Sequence, residues 1–453
     1  MSPAIHDSGV AAPSSAEGPS ATITGLTLIG TYQSLVVWYL ISLLYLYPYG
    51  ISVGAEASLR VPDVFAILAI LVGGGALSLR GQIRVDRVFF GVAGAFLLLE
   101  LSLPFVGAIA YRRPIDVVST LRMAMLWLPM IFLAMLAPSW RALHFERNLA
   151  QVLAATLWLN VAYAAIQIAS TLGAVPQSLL ITAWLEPWAV DENYNLIQGL
   201  RPAGFFATST ALSVFGVICL CFFYARYVSN GARQDLVRSL LSIGIVILST
   251  SRTAYATSAL ILFAGWWHLS SGRRLVLTAI LIGGASAVLL AVEKTIGVEV
   301  AFERFQRLAE SGLLADVSFG GRVYESWPTA IEAARDFTFG TLIQAPRVLP
   351  LIDSGYLNYF LQGKWLFAAA LAMLLAGLWF QGLRAFFGPE TQRLGILTLF
   401  LAIYLTIALV ISNPLRSPLV ILFIVYSLWR SGAEREGRLM QALPALDHDR
   451  GRM

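Results

Sequence analysis

Charge is scarce in this chain. Asp, Glu, Lys and Arg make up 13% of its 453 residues, about half of the roughly 25% usual in soluble domains. Cysteine is rarer still, with only Cys219 and Cys221 present. Two positions apart on a helix, they face different ways. They make no disulfide framework and no zinc pattern, and a buried apolar role is expected. The four histidines are His6, His144, His268 and His448. No phosphate-binding glycine loop, HExxH helix, GxSxG elbow or acidic metal box occurs. The first 25 residues contain no Lys or Arg. They lack the basic start of a signal peptide and are expected to form a disordered tail.

Apolar residues are what the chain has in abundance, at 58% of the total with a mean hydropathy of +0.73. They gather in bands of the length that crosses a bilayer as helix, roughly 17–25 residues. Twelve spans are expected, over 26–48, 61–79, 88–107, 117–137, 149–172, 204–224, 236–250, 253–269, 275–292, 354–383, 394–411 and 415–430. The expected fold is an all-α polytopic membrane protein. One transmembrane domain fills 26–430, between tails at 1–25 and 431–453. No internal repeat is evident. The pI near 9.2 reflects membrane topology rather than nucleic-acid binding. With the N-terminus inside, the inner connections carry 17 basic residues. The outer ones, apart from the long 293–353 segment, carry 6. This asymmetry puts both termini in the cytoplasm.

Two outer segments are long, 173–203 and 293–353. In the second, Val298, Ala301, Phe302, Phe305, Leu308 and Ala309 follow helical spacing opposite Glu299, Glu303, Arg304, Arg307 and Glu310. A helix there lies on the membrane or packs on the loop's own core. A short helix is expected from Pro328. No histidine reaches the outer side, so chemistry there falls to carboxylates, arginines, hydroxyls and tyrosines. Four polar points stand out: Arg201 in "GLRPAGFF", Arg252 in "LSTSRTA", Arg322 and Glu325 in "GGRVYESW", and Asp353 and Tyr356 in "DSGYLNYFLQGKW". Arginine's planar fork suits phosphate oxygens. Each point also has a plainer reading. Arg201 and Arg252 would be interfacial anchors, a reading that fits Arg252 less well because its turn is so short and flanked by small hydroxyls, Arg322 an ion-pair partner of Glu325, and Asp353 a helix cap.

The order of these motifs, with "FTFG" between the last two, resembles the O-antigen polymerase and O-antigen ligase superfamily. Its members are many-span inner-membrane glycosyltransferases. The resemblance covers about residues 150–430, and residues 1–150 match only as generic spans. It implies a GT-C-like fold and metal-independent, inverting glycosyl transfer at the periplasmic face, with no cofactor. The implied partners are an undecaprenyl-pyrophosphate-linked oligosaccharide, membrane lipid and a chain-length co-polymerase. In the family, arginines matching Arg252 and Arg322 are associated with the lipid pyrophosphate, and Arg201 and Tyr356 join them as binding candidates. Ligases of this family resemble one another in a histidine at the head of the span that here begins with Asp353. That departure favours a Wzy-type polymerase over a ligase and makes Asp353, then Glu325, candidate general bases. A flippase would instead place charges along a central path. The expected spans hold mainly Glu100, Arg122 and Lys364.

The loop asymmetry yields a direct test. A reporter active only outside the cytoplasm is expected to work when fused after residue 310 and to be silent after residue 231. The reverse pattern would overturn the orientation.

Overall fold

The computed structural model describes residues 19–45, 50–53, 57–80, 90–112, 117–136, 139–171, 173–175, 202–206, 208–249, 251–295, 320–342, 353–388 and 395–435. Among them are thirteen α-helices: α1 (Pro19–Tyr45), α2 (Val61–Arg80), α3 (Ala95–Tyr111), α4 (Val117–Leu136), α5 (Ser139–Thr171), α6 (Ser209–Asn230), α7 (Arg233–Leu248), α8 (Arg252–His268), α9 (Ser271–Thr295), α10 (Trp327–Ala333), α11 (Gly355–Phe387), α12 (Ile396–Ile411) and α13 (Pro418–Arg435). Each of the twelve expected spans coincides with one of these helices, and the extra one, α10, opens with Pro328 in its first turn. Four helices are long and apolar enough to cross a membrane, and five shorter ones are also apolar.

Several boundaries differ from expectation. Helix α1 starts at Pro19, inside the expected tail, because proline's fixed φ suits a first turn. Helix α13 runs on to Arg435. Helix α6 starts at Ser209, later than expected, because Gly204 has a left-handed backbone (φ 63) and residues 202–206 form a turn. A short antiparallel hairpin, Gly50–Val53 with Ala57–Arg60, precedes α2 and was not expected. The proposed surface helix at 298–309, and residues 1–18 and 436–453 of the two tails, lie outside the described residues.

Helix α6 is central. Nearly its whole length from Leu212 to Val228 is buried, so Cys219 and Cys221 lie within the core as expected. Small residues let its neighbours close in. A Cβ at Gly216 would lie 2.9 Å from Ile245, and one at Gly265 would run into the Tyr224 ring. Close approach of this kind is how helices gain van der Waals contact where no hydrophobic driving force separates them from lipid. By contrast, Phe263, Trp365, Phe380 and Phe387 stand exposed, an apolar exterior unlike that of a water-soluble monomer.

One end of the bundle is closed by charge. Glu146 of α5 accepts from Arg226 Nη1 of α6 at 2.5 Å and from the Tyr426 hydroxyl of α13 at 2.6 Å. Arg226 Nε reaches Asp235 of α7 at 3.2 Å, and Arg238 holds the other Asp235 oxygen at 3.2 Å.

Helix α11 is broken. Gly363 (φ −141, ψ 20) and Lys364 (φ 47, ψ −137) leave helical geometry. The break would orphan carbonyls, and irregular backbone is tolerated at membrane depth only where protein satisfies it. Here Thr341 N–H donates to Leu361 O at 2.9 Å and Leu342 N–H to Gln362 O at 2.8 Å. Gly340, the last residue of "FTFG", makes that approach with φ 87. The Tyr111 hydroxyl of α3 donates to Gly340 O at 2.9 Å. A Cβ at 340 would lie 2.7 Å from both the Leu361 and Gln362 oxygens. Gly340→Ala is therefore expected to destabilise the fold by about 1–3 kcal/mol through backbone strain. Thermal melting in detergent measures this, and an unchanged transition would contradict the contact.

Candidate functional site

The polar points among the described residues, Arg252, Arg322, Glu325, Asp353 and Tyr356, gather at the bundle end opposite the Glu146 network. Helix α6 is followed by α7 across a glycine turn at 231 and α7 by α8 across three residues, so α6 and α8 run the same way. Helix α12 runs against both. Tyr224 stacks on Phe400, whereas Cys221, three residues earlier, interacts with Tyr404. Gly265 of α8 packs on Phe400. Thirteen residues separate Gly265 from Arg252, and thirteen separate Phe400 from Asn413. At 1.5 Å per residue both lie about 20 Å along the bundle. Arg252 is thus level with the end of α12.

The same end receives α11. Gly355 N–H donates to Ser412 O at 3.0 Å, and the Ser354 hydroxyl donates to Leu409 O at 3.3 Å. Asp353, just before this anchor, accepts from Arg322 Nε at 2.8 Å. Arg322 begins a wide helical turn, Arg322–Ser326, that leads into α10. The ion pair is open to solvent, with side-chain exposures of 29% for Arg322 and 44% for Asp353. Such a pair contributes only about 0–1 kcal/mol to stability.

Each anticipated residue has a definite place except one. Arg201 lies outside the described residues, although the turn after it is firmly held. Buried Asn160 and Gln167 of α5 accept from Phe205 N–H and Gly204 N–H, each at 2.9 Å. Arg252 is half-buried and opens α8, where Ser251 caps by accepting from Ala254 N–H at 3.5 Å. A cation at a helix N-terminus opposes the macrodipole at a cost of about 0.3–1 kcal/mol, whereas an anion there would be favoured by the dipole and by the guanidinium. Glu325 is exposed. Arg322 pairs with Asp353 and not, as the sequence allowed, with Glu325. Tyr356 directs its hydroxyl at Thr406 O of α12, 3.0 Å away, so it ties α11 to α12. Asp353 is not the cap of α11. That role belongs to Ser354, whose oxygen accepts from Leu357 N–H at 3.4 Å.

Sequence reasoning passed over Asn358, Asn413 and Arg416. Arg416 Nη2 donates to Asn358 Oδ1 at 3.4 Å. The prolines on either side, at 414 and 418, were the one available sign that the arginine is held in a fixed turn. Among the described residues, no group of His, Cys, Asp and Glu is suited to a metal ion. No family model matches the chain, and no curated protein matches it.

The site gives a test of its own construction. Ser354→Ala is expected to lower stability by about 1 kcal/mol, the usual worth of a helix cap. Asp353→Asn, which leaves that cap in place, is expected to stay within about 0.5 kcal/mol of the parent. Melting both purified variants checks this, and the reverse order would return the capping role to Asp353.

Proposed function

We propose that the protein is a polysaccharide polymerase that joins undecaprenyl-pyrophosphate-linked oligosaccharide repeat units at the periplasmic face of a bacterial inner membrane. The reading takes the twelve long helices as twelve spans, with both termini cytoplasmic and the arginine-bearing end outward. The observation that carries it is the convergence of Arg252, Arg322 and Asp353 at one end of the bundle. These positions are separated by up to about a hundred residues of sequence. Two guanidinium groups at one bundle end, one of them opening a helix, suit a pyrophosphate, which bidentate arginine contacts bind well. Charge grows on the leaving oxygen as the sugar–phosphate bond breaks. Donors held in place for that charge are commonly the largest catalytic contribution.

The same end argues between neighbouring reactions. A ligase of the family that this sequence resembles uses a histidine there. Among the described residues, the histidines are His144, near the start of α5, and His268, which closes α8. Both belong to the opposite end, and the His268 ring packs edge-on against Phe386. This favours polymerisation over transfer of a finished glycan to lipid A core or protein. A flippase is less favoured because the expected spans hold few charges, mainly Glu100, Arg122 and Lys364, and no charged path runs along them among the described residues.

In the proposed reaction an acceptor hydroxyl attacks the anomeric carbon of the donor sugar from the face opposite the pyrophosphate. The C–O bond to pyrophosphate breaks with inversion, and its electron pair leaves on the lipid pyrophosphate. Arg252 and Arg322 hold that leaving group. Asp353, through its ion pair, orients the Arg322 guanidinium.

Arg252→Ala and Arg322→Ala are each expected to slow polymer formation about 10²–10³-fold, the usual cost of one charge-stabilising donor, with the protein still folded. Arg→Lys keeps the charge without the fork and is expected to restore activity only in part. Polymerisation of lipid-linked repeat units by purified variants is the measurement. Wild-type rates in both alanine variants would overturn the pyrophosphate site.

A further inference from the structure

Beneath the ion pair lies a second polar cluster that the proposed pyrophosphate site leaves unused. Its centre is Glu100, a buried carboxylate in the middle of apolar α3. One turn before it, Phe96 packs edge-on against the Tyr359 ring of α11, with ring centres 5.3 Å apart. This brings the Tyr359 hydroxyl beside the Glu100 carboxylate and the Asn413 amide. Arg416 stands close enough for its charge to act on Glu100 and Tyr359 alike. The turn that carries Asn413 and Arg416 is clamped to the start of α11 by the Gly355–Ser412 and Arg416–Asn358 contacts.

The hydrogen bonding of this cluster is incomplete. The Tyr359 hydroxyl, both polar atoms of the Asn413 amide and Arg416 Nε are buried, and the contacts of the hydroxyl with Glu100 and Asn413 fall short of full hydrogen-bond geometry. Tyr359 is only 1% exposed. A buried polar group without a partner costs about 1–3 kcal/mol, and several collected at one place point to a ligand that supplies partners. The set offers donors from Arg416, Asn413 and Tyr359, and acceptors from Glu100 and Asn413. That mixture matches vicinal sugar hydroxyls, each of which donates and accepts.

We infer that Glu100 is the general base of the glycosyl transfer and that Tyr359, Asn413 and Arg416 bind the acceptor sugar whose hydroxyl it activates. The inference rests on the polymerase reading and extends it. The acceptor O–H proton passes to the Glu100 carboxylate as the oxygen bonds to the donor's anomeric carbon, and the electron pair of the broken C–O bond leaves with undecaprenyl pyrophosphate. Arg416 supplies a positive charge beside Glu100. Asp353, held by Arg322 and half open to solvent, remains a positioning residue.

The test uses the full-length protein in detergent with its lipid-linked repeat unit, and scores turnover and KM beside thermal melting. Glu100→Gln is expected to cut turnover about 10²–10⁴-fold, the range for a lost general base, with KM and melting little changed. Glu100→Asp keeps the charge but withdraws it by one methylene, and is expected to lose turnover too. Tyr359→Phe is expected to raise KM by up to about tenfold, the worth of one neutral hydrogen bond. Full turnover in either Glu100 variant overturns the assignment. So does a loss of turnover matched by a loss of folded protein, which marks a structural carboxylate. A wild-type protein inert toward the lipid-linked unit overturns the polymerase reading itself. An active wild type equalled by Glu100→Gln overturns this inference alone.

Discussion

The carboxylate of Glu146 is the interaction on which the rest of the bundle depends. It gathers Arg226 and Tyr426, and through Arg226 it reaches Asp235 and Arg238. Four helices, α5, α6, α7 and α13, are thereby fixed at one end. Breaking a buried charged pair by removing one partner is strongly destabilising, because the other charge stays behind uncompensated. The aliphatic packing above the network has little directional preference of its own, since lipid offers the same contacts. The network therefore sets the register of the central helices, and the tight glycine contacts at Gly216 and Gly265 hold it.

With one end clamped, the other is free to carry features that weaken a helix bundle. Helix α11 breaks at Gly363 and Lys364, a cation opens α8, and polar groups with incomplete hydrogen bonding lie around Tyr359 and Asn413. Each costs stability, and each is held in place by a specific neighbour. Residues 340–342 satisfy the broken helix, Ser251 and Ser354 cap the helix starts, and Asn160 and Gln167 fix the turn after Arg201. Strain and unmet polarity concentrated at one end, and compensated nearby, are characteristic of functional sites. In the proposed reaction that end holds the pyrophosphate near its rim and the acceptor sugar deeper, around Glu100.

Some residues stood out in sequence because their chemistry is costly in an apolar chain. Arg252 between two apolar runs, Arg322 and Asp353 were visible for this reason, and so was Glu100 as one of the few charges within a span. Their pairing was not visible. The sequence suggested the neighbour Glu325 as partner of Arg322, and distance along the chain says nothing about the fold that brings Asp353 to it instead. The sequence likewise suggested Asp353 as a cap, and only the position of the Ser354 oxygen gave that role to Ser354. Asn413 and Arg416 were hidden because Asn and Arg in a short turn between spans are unremarkable until α11 is seen to lie against them.

By itself, the sequence determined the approximate limits of the long helices among the described residues, because apolar length follows directly from the cost of placing backbone and charge in hydrocarbon. It also determined which side chains were too polar for their surroundings. The tertiary structure alone decided which of those side chains meet. Helix register, the break in α11 and the turn at 412–416 are fixed by packing between segments far apart in the chain, through contacts such as Gly265 on Phe400 and Gly340 on Leu361. Hydrophobic periodicity carries no information about such contacts, because it records that a face is buried and not what it is buried against.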